Sequence, residues 1–468
     1  MPINDAHGCP VTAADPQAVE LLDRTVSAYL GFRKDTGDRL KEMLGAEPQL
    51  MMAHCLRGYF MMLFGQRAMV SRAERSLATA RTAAETGVTD REAAHLAALA
   101  AWIAGDLTGA TARWEAIAGE WATDVLALKL AQYGNFYTGE SERMRQVFER
   151  ALPSWQPHMA DYGFVLGCHA FGLEETGAYD DAEHAGREAI ERNPADIWAA
   201  HAVQHVFEMT GRPHDGIAWT ERLEANWHEC NNFAYHALWH RCLFLLELGE
   251  AEAALRRYDR EVRPESTDDL LDISNAVSLL WRLEQAGVDV GSRWQELAAR
   301  SQAHIDDHLL TFGDMHYLLA LAAAGRTDDA ERLLDGLSQY AAASAESEAA
   351  VAGDPGLALG RAVLAARCGD HGDAMRSLAA VHDRVHRIGG SHAQRDLFEE
   401  LLIDSALRAG EVGTTKALLI ERLKRRPRNA WGWRHLAAAL DALGERDGAS
   451  AARAKAAELR QRRNGKVT

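Results

Sequence analysis

Proline and cysteine are both scarce in this chain, with 11 and six among 468 residues. So few prolines leave long stretches without the ring that breaks helices. The cysteines (positions 9, 55, 168, 230, 242 and 368) never form C-x-x-C. That excludes a zinc-ribbon set and argues for reduced thiols over a disulfide framework. An excess of positive charge is also missing: the formal net charge is −17. On this balance no nucleic acid and no membrane surface is expected as a partner. The main basic run, RLKRRPR at 422–428, reads as a solvated helix end. No apolar run reaches spanning length. The first residues, MPINDAHGCPVTAADP, lack the basic-then-apolar order of a signal peptide, so a cytoplasmic location is expected. Alternating Val-Ile-Thr runs are nearly absent, which excludes a β fold. There is no G-x-G-x-x-G after a strand, no P-loop, no G-x-S-x-G and no H-E-x-x-H.

What is present is helical patterning, as in RWEAIAGEWATDVLALKLAQY (113–133), with apolar residues at three- and four-residue steps. Apolar helices stop repeatedly at a glycine: Gly105, Gly139, Gly177, Gly211, Gly249, Gly287, Gly325, Gly369, Gly410 and Gly444. The spacings are 34, 38, 34, 38, 38, 38, 44, 41 and 34 residues. Glycine suits the position after a helix because it accepts positive φ. A helix pair repeating every ~34 residues is the tetratricopeptide signature. The best single match is LGCHAFGLEETGAYDDAEHAGREAIERNP (166–194), with Ala170, Ala182 and Ala189 at the close-packed sites and Pro194 closing the unit. The expected fold is all-α, with helix-turn-helix units stacked in a right-handed superhelical solenoid. One divergent array should run over 15–462, with a flexible terminus at 1–14, a frayed tail at 463–468 and a weak lobe boundary near 344–356.

Two histidine pairs stand out on this scaffold. His201 and His205 lie four apart in WAAHAVQHVFEMTG, and His236 and His240 lie four apart in FAYHALWHRCLFLLELG. Residues four apart share a helix face. Counted back from the turn glycines, these residues fall at or beside concave positions of successive first helices. So do Asp314 and His316, with Glu174, Glu175 and Glu208 close by. The expectation is a polar pocket on the concave surface. His205, His240 and Glu174 are its candidate proton-transfer groups. His201, His236, Asp314, His316 and Glu208 are candidate ligand contacts. Packing of the histidines against Trp198, Phe233 and Trp239 is the competing reading. Four imidazoles could also hold a divalent ion, but without H-E-x-x-H the metal-free pocket is preferred, and the cofactor is left unknown.

Two further segments join the list. In GGSHAQRDLFEELLIDSAL (389–407), Ser391 and Gln394 form a capping box, which leaves His392, Arg395 and Asp396 crowded in the first turn. Arg395 there could clamp a carboxylate or phosphate, or simply pair with Asp396. In DDLLDISNAVSLLWRLEQAG (268–287), Asp268 or Asp269 caps the helix, Asp272 is a further ligand candidate, and a buried Arg282 would need an acidic partner.

The segments 167–183, 198–219, 236–250, 278–287 and 389–398 together resemble the tetratricopeptide repeat protein 38 family, over roughly residues 20–430. The resemblance implies a tetratricopeptide array and no defined chemistry. The functional expectation is therefore a binding protein that takes a protein, peptide or small polar ligand in its groove. The alternative is a hydrolase- or lyase-type enzyme, metal-dependent or not, acting in that pocket. Homo-oligomerisation through exposed terminal helices is allowed.

Overall fold

The computed structural model describes residues 2–461. Among these are twenty-five α-helices, short 3-10 and π turns, and one two-stranded hairpin. The protein is a helical-repeat array of tetratricopeptide type. All ten turn glycines have positive φ, from +63° at Gly211 to +87° at Gly369, so each hairpin bends where the spacing placed it. Small residues set how closely the hairpins stack. A Cβ on Gly186 would lie 2.5 Å from Val203 Cγ2, and one on Gly167 would lie 2.9 Å from Ala199 Cβ. The helices Tyr162–Glu175, Tyr179–Arg192 and Ile197–Met209 thus meet backbone to backbone, and Ala170, Ala182 and Ala189 are fully buried beside them.

The array closes on itself. Arg67 pairs with Glu346 at 2.9 Å, and Ser347 N donates to Gly105 O at 2.9 Å. His392 N donates to Glu175 Oε1 at 2.9 Å, and Asn429 Nδ2 donates to Glu247 at 3.0 Å. The helix His392–Arg408 packs against the inner helices Ile197–Met209 and Leu270–Gln285. The later hairpins therefore cover the concave side of the earlier ones.

Two readings differ from this structure. Residues 3–11, expected to be flexible, form a hairpin pairing Ile3 with Val11. Val11 is buried, and Arg91 Nη1 donates to Pro10 O, so the hairpin is held by packing and not by its length. The expected tail at 463–468 lies outside the described residues. The basic run 422–428 is not a solvated end: Arg422 is buried, with both Nη atoms on Asp396 at 2.5 and 2.7 Å. Arg426 meets the same carboxylate at 2.8 Å. Around 344–356 the chain carries the short helix Ser347–Val351 and a turn with non-helical backbone at Asp354. That turn interrupts Ser347–Arg367, the one stretch among the described residues long and apolar enough to cross a membrane.

Candidate functional site

Each histidine pair is presented by a well-terminated helix. Asp196 caps Ile197–Met209 by accepting from Ala199 N, and Gly211 ends it. Phe233–Leu248 ends at Gly249 in the left-handed conformation. The two helices pack side by side, so both i,i+4 faces meet. One ring nitrogen from each of His201, His205, His236 and His240 lies within 4.8 Å of the others. His201 Nε2 is 2.8 Å from His205 Nε2 and 2.9 Å from His236 Nε2. None of the four is more than 3% exposed.

The outward nitrogens are held by other side chains. His236 Nδ1 is 2.9 Å from Asn275 Oδ1, His240 Nδ1 is 3.0 Å from Glu208 Oε2, and His205 Nδ1 is 3.4 Å from Glu174 Oε2. Facing acceptors, the Nδ1 atoms of His236 and His240 carry the ring protons, whereas His205 Nδ1 makes no hydrogen bond. Burial, and secondarily the neighbouring rings, pushes His201 well below the ordinary histidine value; burial, then His240, does the same to His236. His205 and His240 are also lowered, by burial first. All four rings are therefore neutral. With Nδ1 protonated, the Nε2 atoms of His236 and His240 are bare lone pairs turned into the cluster. The single N–H of His201 can satisfy only one of them. His240 Nε2 is buried with no hydrogen-bond partner.

Aromatic rings fix these orientations. His236 stacks on Trp239 at 5.3 Å, Phe171 meets His205 edge-on at 5.4 Å, and Phe233 meets His201 edge-on at 5.1 Å. The packing expected from Trp198, Phe233 and Trp239 is thus present together with the cluster. Behind His205, neither oxygen of the buried Glu174 has a hydrogen-bond partner. Burial, and then Glu175, pushes its carboxyl well above the usual range. Burial also raises Glu175, but His392 and Arg395 more than offset it.

The other sequence candidates divide. Arg395 Nη2 reaches Glu175 at 3.2 Å, and His392 Nε2 sits 2.9 Å from Glu175 O. The carboxylate clamped at that helix start is therefore the protein's own. The Ser391–Gln394 capping box forms. Asp396 belongs to Arg422 and Arg426. Asp314 pairs with His308 at 3.2 Å, and His316 Nδ1 is spent on Phe312 O at 2.7 Å. Asp272 accepts from Thr267 and Asn232, while Asp269 is the cap. Arg282 finds Glu400 at 3.1 Å. Asp272, Asp314, His316 and Asp396 thus stand outside the cluster. Sequence reasoning missed Asn275, although it lies twelve residues before Gly287, close to the register of His236 before Gly249.

Expectation and structure also part over the pocket. The histidines line no open polar groove, because the later hairpins occupy the concave side. Only His201 and His236 reach a cavity, of about 610 Å³, whose wall is mainly apolar and includes the rings of Phe32, Tyr133, Phe171, Trp198 and Phe233. These rings come from five separate parts of the chain, and no local motif announces them.

No protein-family model matches the chain. Among solved structures it is similar to the human IFIT1 dimer with PPP-AAAA, at 13% identity over 96% of each chain and a TM-score of 0.42. It is also similar to the human IFIT1 dimer with m7Gppp-AAAA, at 12% identity, the same coverage and a TM-score of 0.43. The expectation of no nucleic-acid partner rested on net charge alone and is not carried further: the similar human IFIT1 structures hold such oligonucleotides.

Proposed function

We propose that His201, His205, His236 and His240 together hold one divalent transition-metal ion, and that the protein uses this centre on a small molecule admitted by the adjoining aromatic cavity. The observation that carries this is the direction of the rings. The Nδ1–H groups of His236 and His240 have fixed acceptors, so their two Nε2 lone pairs converge on a cluster of four buried rings. Buried lone pairs without donors are costly, and a cation removes that cost. Acceptors on the far nitrogen of a ligating histidine are the usual second layer of a metal site. Glu208, whose carboxylate meets His240, can supply negative charge opposite the ion. Neutral imidazoles suit zinc, copper, iron or nickel more than magnesium or calcium.

In this reading His205, His240 and Glu174 change roles. The two histidines ligate, and Glu174 lies behind His205; none of them carries the proton of a reacting molecule. A bound ion would supply Lewis acidity at the cavity wall, where His201 and His236 border the space a ligand enters. Membership of the tetratricopeptide repeat protein 38 family is part of the same proposal, since the segments that carry the resemblance (198–219 and 236–250) hold all four histidines.

The test is elemental analysis of protein purified without a histidine tag, followed by titration of metal-stripped protein with Zn²⁺ and Co²⁺. About one equivalent of bound metal, and visible Co²⁺ absorption lost in the paired variant His205→Ala/His240→Ala, is expected. Less than a tenth of an equivalent, with no uptake on titration, overturns the proposal.

A further inference from the structure

The aromatic cavity carries unmet polar demands that describe its ligand. Four basic side chains border it: Arg33, Lys34, Lys41 and Arg57. Three have carboxylate partners. Arg33 pairs with Asp35 at 3.0 Å, Lys34 with Glu229 at 3.6 Å and Lys41 with Asp38 at 2.8 Å. Arg57 has no ion-pair partner among the described residues, and its Nε donates only to Ser76 Oγ at 3.0 Å. The acid on the wall, Asp269, is occupied in capping its helix, accepting from Leu271 N at 2.9 Å. One positive charge is therefore left unmatched on a mainly apolar surface.

A second observation lies beside it. Tyr29 borders the same cavity, and its hydroxyl is buried without a partner. Phe60, one turn from Arg57 on the helix Met51–Leu63, packs on the Tyr29 ring at 5.1 Å. The unmatched guanidinium and the unpaired hydroxyl thus both belong to residues that line this cavity. Asn231, Asn232, Ser391 and Gln394 there are already satisfied. Asn231 Oδ1 accepts from Phe233 N, Asn232 Nδ2 donates to Asp272, and Ser391 and Gln394 bond to each other's backbone.

We infer that this cavity binds an apolar monocarboxylate, with its carboxylate on Arg57 and its hydrocarbon body against the apolar wall. The volume suits a drug-sized ligand. A planar guanidinium matches a carboxylate with two parallel hydrogen bonds. One unmatched cation suits a monoanion better than a phosphate dianion. This inference deepens the proposed function by naming the ligand class. It rests on that reading only where it sets the ligand body beside His201 and His236; the charge argument stands without an ion.

The experiment compares dodecanoate, 2-naphthoate and the neutral 1-dodecanol and 2-naphthalenemethanol by tryptophan quenching and calorimetry, on metal-stripped and metal-loaded protein. Each acid is expected to bind about 10- to 100-fold more tightly than its alcohol, the range of a charge-assisted hydrogen bond. Arg57→Gln should abolish that preference while leaving alcohol binding nearly unchanged. The two acids separate an aliphatic body from an aromatic one. Equal binding of acid and alcohol by the unmutated protein, or binding of neither, overturns the inference even if Arg57→Gln fails to fold. Acid binding without any metal uptake refutes the metal centre alone, and metal uptake without acid binding refutes this inference alone.

Discussion

Glu208→Gln separates a metal-holding role from a packing role, because the two predict effects of opposite sign. The carboxylate accepts from His240 Nδ1 at 3.0 Å and is mostly buried, with side-chain exposure of 9%. Glutamine keeps the volume and an acceptor oxygen, so the ring can stay in place. What it removes is one buried negative charge. If the site holds an ion, losing that charge weakens ligation by about 10- to 100-fold, the usual cost of an altered outer partner, or about 1.4–2.7 kcal/mol. If the cluster only packs, removing a buried charge is neutral or stabilising. The assay is competition for Zn²⁺ against a chromophoric chelator, with a melt of the metal-stripped protein alongside. The expected result is a tenfold or greater loss of affinity together with an unchanged or raised melting temperature of the stripped protein. Unchanged affinity, or a stripped protein that melts several degrees lower, refutes the reasoning.

Other outcomes follow from the fold. Gly139→Ala should destabilise more than Gly177→Ala in chemical denaturation. Both glycines have positive φ, at +72° and +82°, but a Cβ at Gly139 would lie 2.0 Å from His386 O, whereas one at Gly177 meets nothing; about 1–2 kcal/mol is expected for Gly177, and equal losses would contradict the closure. Asp396→Ala should cost about 3–5 kcal/mol, because it strands the buried Arg422 and Arg426; a loss below 1 kcal/mol would show the network to be dispensable. Arg422 and Arg426 more than offset burial at Asp396 and hold its carboxyl well below the usual range, so its stabilisation is complete above about pH 4 and disappears only as pH falls towards that depressed value. Glu348 has the opposite sign: burial pushes it up to about 8, against the hydrogen bond from Thr311 N. The folded state then keeps a proton the unfolded chain loses, so stability falls between about pH 4.5 and pH 8. Glu348→Gln should flatten that decline in melts from pH 5 to pH 9, and an unchanged slope would rule Glu348 out as its source.

The array was legible because its signals are local. Positive φ at Gly211 or Gly249 needs only a helix that must stop, and Ala170 with Ala189 needs only two helices that must touch. The histidine pairs were legible for the same reason, since four-residue spacing fixes a face. The surroundings of that face were not. Glu208 reaches His240, and Asn275 reaches His236, across helices whose relative height depends on packing. The closure was hidden further still. Arg422 looked solvated because its partner Asp396 lies on a different helix, and nothing within one turn of either residue points to the other. Arg57 and Tyr29 belong to the cavity through Phe60, a contact between two hairpins with no common motif.

The joining of distant hairpins bears on how this chain comes apart. In an open solenoid each unit leans only on its neighbours, so unfolding can begin at an end and spread unit by unit. Here Arg67 and Glu346 are 279 residues apart, and Asn429 and Glu247 are 182 apart. The last hairpins act as the lid of the middle ones. Trimming the chain from its C-terminus would unroof Glu247 and the layer beneath it before it shortened anything. Melting should accordingly be a single cooperative event, and deletion of 390–461 should lower the stability of the remaining units far more than 72 residues' share.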